Sequence, residues 1–127
     1  MTTTHPAWLA DLLATADVAP LAPALAYDGP CATPRQPGEA VRSGWDTTFV
    51  YFFLGTGRLL YVGMTRNPWG RFSKHACKAA WWPTADRVII LRLTGTNPRA
   101  LRRDALDLEW LAIQELHPLH NIAGVSA

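Results

Sequence analysis

The chain has 127 residues, 49% of them hydrophobic and 10% aromatic, with two cysteines and a formal net charge of +2. That length holds one compact domain with a modest core, the composition excludes a disordered or fibrous chain, and no apolar run approaches the roughly 20 residues of a membrane span. Cys31 and Cys77 form neither a disulfide framework nor paired metal-ligand spacing, and the N-terminus lacks the basic start and unbroken apolar stretch of a secretory signal, so a cytoplasmic setting is expected.

The charge is unevenly spread. Residues 1–45 carry two basic and four acidic side chains, a net of −2, and residues 46–127 carry ten basic and six acidic, a net of +4. Arg58, Arg66, Arg71, Lys74 and Lys78 follow one another with no acidic residue between them. A local positive field of this kind suits a polyanion such as nucleic acid, although a solvated basic face has the same signature.

In chain order, His5 to Ala16 can form a short helix with Trp8, Leu9, Leu12 and Leu13 on one side. Pro20, Pro23, Pro30, Pro34 and Pro37 then come at short intervals, with Gly29 and Gly38 among them. Such proline density opposes regular helix, so residues 1–45 read as a helix followed by an irregular proline-rich arm. The compact domain, residues 46–127, is expected to begin beside Trp45. Thr47–Leu54 is rich in β-branched and aromatic residues and reads as a strand. Gly55-Thr56-Gly57 supplies a turn, and Arg58–Met64 the second strand of a hairpin. Asn67-Pro68 pairs a capping side chain with proline at the first helical position, which starts a helix running to about Ala80. Asp86–Leu93 is a buried third strand. Asn97-Pro98 repeats the helix start, and the last helix runs to Leu116, before Pro118. The order strand, strand, helix, strand, helix predicts a small sheet with helices packed on it.

The residues able to do chemistry fall into four groups. Tyr51 and Tyr61 sit on paired strands, where two phenols can meet at one site and position water or a phosphate oxygen; an aromatic pair that only stabilises the hairpin looks the same. Arg71 and His75 are spaced i, i+4 and share a helix face. The guanidinium can grip a phosphate through paired hydrogen bonds, and the imidazole can orient a tyrosine or move a proton. Glu109 stands in an apolar helix stripe with Ala105, Leu106, Ala112 and Ile113. A carboxylate there is costly unless it is paired or binds a metal. One carboxylate can hold a magnesium ion that keeps several waters and takes a phosphate oxygen. Asn121, twelve residues beyond Glu109, can fold back onto the wall of the site or simply form a turn. His117 and His120, with Cys77, are the zinc alternative, without the usual ligand spacing.

Taken in order, these pieces resemble the GIY-YIG nuclease family over roughly residues 47–123. Val50-Tyr51-Phe52 matches the first tripeptide at its central tyrosine, and Tyr61-Val62-Gly63 matches the second at tyrosine and glycine. Arg71, His75, Glu109, Pro118 and Asn121 match the later positions. The resemblance implies an α+β fold with a three-stranded, mainly antiparallel sheet flanked by helices. It also implies hydrolysis of DNA phosphodiesters with one divalent metal, Mg2+ or Mn2+. On that pattern Glu109 binds the metal, Arg71 holds the scissile phosphate, Tyr51 is the base or water-positioner, and Tyr61 orients water or phosphate. His75 supports Tyr51 or contacts phosphate, and Asn121 braces the site. Arg58, Arg66, Lys74 and Lys78 join Arg71 as expected nucleic-acid contacts. A catalytically inactive nucleic-acid-binding module and a protein-interaction domain whose arm docks a partner are the competing readings. One site facing a two-stranded substrate implies nicking, a homodimer or a partner protein. The cluster Trp69, Trp81 and Trp82 can serve either the core or a dimer surface.

Overall fold

The computed structural model describes residues 7–16, 23–33, 35–41 and 46–121. Pro20, Pro34 and the expected boundary at Trp45 lie outside the described residues. The elements are α1 (Ala7–Ala16), β1 (Ala24–Gly29), α2 (Arg35–Ala40), β2 (Thr47–Gly55), β3 (Arg58–Thr65), α3 (Pro68–Lys78), a 3-10 turn at Trp82–Thr84, β4 (Arg87–Thr94) and α4 (Pro98–Leu116). The fold is α+β.

The four strands form one antiparallel sheet in the order β1-β4-β2-β3. This corrects the expected three-stranded sheet and the reading of the proline-rich arm as irregular. Pro23 and Pro30 flank β1 rather than interrupt it, so neither removes a ladder hydrogen bond from its interior. A bidentate pair between Arg87 and Asp28, with both bonds at 2.7 Å, ties β1 to β4. Pro37 is the third residue of α2, in the first turn, where a missing N–H costs no helical bond. Just before the helix, the Thr33 N–H donates to Gln36 Oε1 at 3.3 Å.

β2 lies between β3 and β4, and all its residues after Thr47 are buried. The period of two sends alternate side chains to opposite faces. Val50, Phe52 and Leu54 join Ile89, Leu91 and Leu93 on one face, where α4 adds Leu101, Ala105, Leu108 and Ala112 and α1 adds Leu9 and Leu12. Phe49, Tyr51 and Phe53 join Val88 and Ile90 on the other, with Phe72 of α3, Trp81, Trp82, Cys31 and Val41. Helices therefore cover both faces, α1 and α4 on one and α2 and α3 on the other. No helix among the described residues is long and apolar enough to cross a membrane.

The β2–β3 hairpin closes through Thr56 (φ 54°) and Gly57 (φ 76°), two left-handed residues that match a two-residue type I′ loop. A bulge follows: Phe53 pairs with Tyr61 and Leu54 with Leu59. The extra residue, Leu60, shares the Tyr61 side of the sheet. Both expected caps form. Asn67 Oδ1 accepts from the Gly70 N–H at 3.2 Å, and Asn97 Oδ1 accepts from the Arg99 and Ala100 N–H groups at 3.1 and 3.3 Å.

Candidate active site

β3 is an edge strand, with α3 against one face of the sheet and α4 against the other. Where the two helices reach the β3 edge, a cavity of about 150 Å³ is lined by Tyr51, Tyr61, Gly63, Met64, Arg71, Arg102, Leu106 and Glu109. Four expected site residues, Tyr51, Tyr61, Arg71 and Glu109, thus face one space from two strands and two helices. Glu109 is 6% exposed. Its carboxylate is turned from the apolar stripe of α4 into the polar cavity.

Tyr51 reaches this cavity because its cross-strand partner is Gly63. A Cβ at Gly63 would collide with Oη and Cζ of Tyr51, so only glycine lets the phenol lie across β3. The Tyr51 and Tyr61 rings stack at 6.2 Å between centroids and 29° between planes. Tyr51 Oη hydrogen-bonds His75 Nε2 at 2.8 Å. The imidazole sits in an aromatic enclosure with centroid distances of 5.0 Å to Tyr61, 5.2 Å to Trp81 and 5.8 Å to Tyr51. Trp81 in turn stacks on Tyr61 at 5.1 Å and 17°.

The surroundings fix the protonation states. Burial, and secondarily the neighbouring Arg71 charge, push His75 down to about 4, so it is neutral at ordinary pH. Burial pushes the Tyr51 phenol well above its usual 10, with Tyr61 and Glu109 adding and Arg71 opposing. Tyr61 is also raised, first by burial and then by Glu109, again against Arg71. Both phenols keep their protons at neutral pH.

Asn121 lies behind the site on the β3 edge. Its Oδ1 accepts from the Val62 N–H at 2.8 Å and its Nδ2 donates to the Val62 carbonyl at 2.9 Å. The preceding residues pair with the same edge, Leu119 N–H to the Leu59 carbonyl at 3.2 Å and His120 N–H to the Leu60 carbonyl at 2.9 Å. Val62 stands between Tyr61 and Gly63, so Asn121 holds the strand that carries two cavity residues. Antiparallel alternation then turns the backbone groups of Met64 outward, at the cavity wall.

The expected contacts outside the cavity divide. Arg66 lines an adjoining hollow together with Met64 and Arg102. Lys74 and Lys78 are exposed on α3, three and seven residues after Arg71 and so on its face. Arg58 is exposed at the hairpin end of β3, five residues before Gly63, and does not join them. Trp81 and Trp82 are buried, whereas Trp69 is 44% exposed. Arg102 is the cavity residue that sequence reasoning missed. It precedes Glu109 by seven residues, two helical turns, and that period is the signal that would have found it.

Among the described residues no three His, Cys, Asp or Glu side chains gather as a ligand cluster, which includes His117, His120 and Cys77. A single carboxylate fits a hard divalent cation only if the ion keeps waters and shares a phosphate oxygen. The two arginines lining the same cavity put positive charge beside that carboxylate, a combination able to attract a phosphate.

Comparison with models of known protein families, with curated proteins and with solved structures gave no match.

Proposed function

We propose that this cavity is the active site of a divalent-metal-dependent DNA endonuclease of the GIY-YIG type, acting in the cytoplasm. One observation carries the reading: a buried carboxylate, two arginines and two tyrosines, drawn from both faces of the sheet, line one cavity of about 150 Å³. The ordered matches at Tyr51, Tyr61, Gly63, Arg71, Glu109 and Asn121 give the reaction its name.

Arg71 and Arg102, from helices on opposite sides of the sheet, grip non-bridging oxygens of the phosphodiester and offset charge that grows on them. Glu109 is the residue that would hold Mg2+ or Mn2+, and a bound ion would supply Lewis-acid polarisation of a phosphoryl oxygen and acidify nearby water. Tyr51 is too strongly protonated to act as a phenolate. It works instead as a relay, taking a proton from the attacking water while passing its own to Nε2 of neutral His75. An imidazolium is unfavourable there because of burial and Arg71, but bound phosphate offsets the Arg71 charge and raises the proton affinity of His75 at the step that needs it. Tyr61 aligns the water or phosphate. The water oxygen bonds to phosphorus, the bond to the leaving sugar oxygen breaks, and that oxygen takes a proton from solvent.

The test is cleavage of plasmid, linear, branched and single-stranded DNA with magnesium or manganese, and with chelator. Cutting that needs the metal and is lost in Glu109→Ala and Arg71→Ala, both still folded, supports the reading. Normal cutting by either variant refutes the site. Salt-dependent binding without cutting under any metal selects the inactive binding module instead.

A further inference from the structure

Trp110 is 59% exposed, the most exposed large hydrophobic side chain among the described residues. It follows Glu109 directly and lies four residues after Leu106, which lines the cavity. Arg99, Arg103, Leu106 and Trp110 are spaced by four, three and four residues, so they form one stripe along α4, beside the stripe that carries Arg102 and Glu109. Arg99 and Arg103 are exposed. Helical side chains lean toward the N-terminus, which lays the indole over the turn that contributes Leu106. Asp107 borders the stripe on the side away from the cavity. An indole in water is unfavourable, and here it stands one turn beyond Leu106 of the cavity lining and two turns beyond Arg103 on the same stripe.

We infer that Trp110 is a stacking platform for an unpaired base of the strand whose phosphate enters the cavity, with Arg99 and Arg103 tracking the adjacent phosphates; this rests on the phosphodiester reading of the site. A base inside a duplex has both faces covered by its neighbours, so an exposed indole gains little from it. A base in a single strand, flap or junction offers a free face. The substrate class is therefore DNA with unpaired nucleotides at the cut. Trp69 provides an internal contrast. It is exposed, but on α3 it precedes Arg71 by two residues, which places it about 160° around the helix, away from the cavity.

The experiment measures binding of the full chain, in chelator so that no cutting occurs, to fluorescein-labelled oligonucleotides in three forms: single strand, hairpin duplex, and duplex with an unpaired flap. Trp110→Ala should weaken single-strand and flap binding roughly 5- to 150-fold, the range for losing one base–aromatic stack. It should leave duplex binding and the melting temperature unchanged, with Trp110→Phe recovering most of the loss and Trp69→Ala showing none. Equal weakening on all three DNAs, or none on the single strand, overturns the inference and leaves the nuclease reading standing. Failure of the wild type to bind any of the three at low salt overturns both and points Trp110 toward a protein partner.

Discussion

The phenol of Tyr51 occupies the space that a side chain at Gly63 would fill, directly across the β2–β3 ladder. The relationship makes Gly63 part of the site without any chemistry of its own. Gly63→Ala should displace the Tyr51 ring, break its 2.8 Å bond to His75 and abolish cleavage. The added methyl should also cost about 1–3 kcal/mol, the usual penalty for overpacking a filled core. Tyr51→Phe is the control, because it removes the hydroxyl without moving the ring. It should lose activity with a much smaller change in the denaturation midpoint. A Gly63→Ala protein with unaltered stability and activity would mean that the tyrosine has another place to go.

Glu109 poses the opposite problem, a buried charge retained at a cost. Glu109→Gln keeps the shape of the side chain and removes the charge. The variant should stay folded with little change in stability, since the amide is cheaper to bury but gives up the attraction between the carboxylate and the cavity arginines. Cleavage should fall by more than about 100-fold, because even changes behind a metal's direct ligands cost roughly 10- to 100-fold. Urea denaturation and a plasmid cleavage time course measure the two quantities. Loss of stability with normal activity would reassign Glu109 to a structural role.

The contrast between these residues shows what a sequence makes legible. The β-branched and aromatic run at Thr47–Leu54 and the helical period after Pro98 are local signals, and β2 and α4 formed where they pointed. The caps at Asn67 and Asn97 are local too, and both are present. β1 was hidden because its stability is not local. The segment Ala24–Gly29 has weak strand propensity and prolines on either side. What orders it is pairing with β4 and the Asp28–Arg87 bond, whose partners lie 59 residues apart. Arg102 was hidden for a related reason. An arginine in a charged helical segment resembles any solvated arginine until the fold shows which stripe meets the sheet edge.

His75 supplies a pH test. An unfolded histidine takes up its proton near about 6.5, whereas in the folded chain burial and Arg71 delay uptake to about 4. Between those values the unfolded state binds more protons, so this residue lowers stability progressively as pH falls through that window and has no such effect above it. His75→Gln should lose less stability than the wild type over the same interval in urea denaturation series. The His75 ring resonance should titrate near about 4 by NMR. A midpoint near the ordinary value would show an open, solvated imidazole and would overturn the buried aromatic enclosure around it.

Asn121 lies outside the cavity lining, and its amide clamps Val62 from both sides at 2.8 and 2.9 Å. Asn121→Ala strands one N–H and one carbonyl at the sheet edge, and two hydrogen bonds of ordinary net worth amount to about 1–3 kcal/mol. The strand between Tyr61 and Gly63 should then breathe, lowering the turnover number more than substrate affinity, since Arg71 and Arg102 are anchored on helices. Asn121→Asp should rescue poorly. It still accepts from the Val62 N–H but sets a carboxylate against the Val62 carbonyl. Hydrogen exchange at the Val62 amide reads the effect directly: exchange should accelerate in both variants, and continued protection in Asn121→Ala would show that other contacts hold the edge.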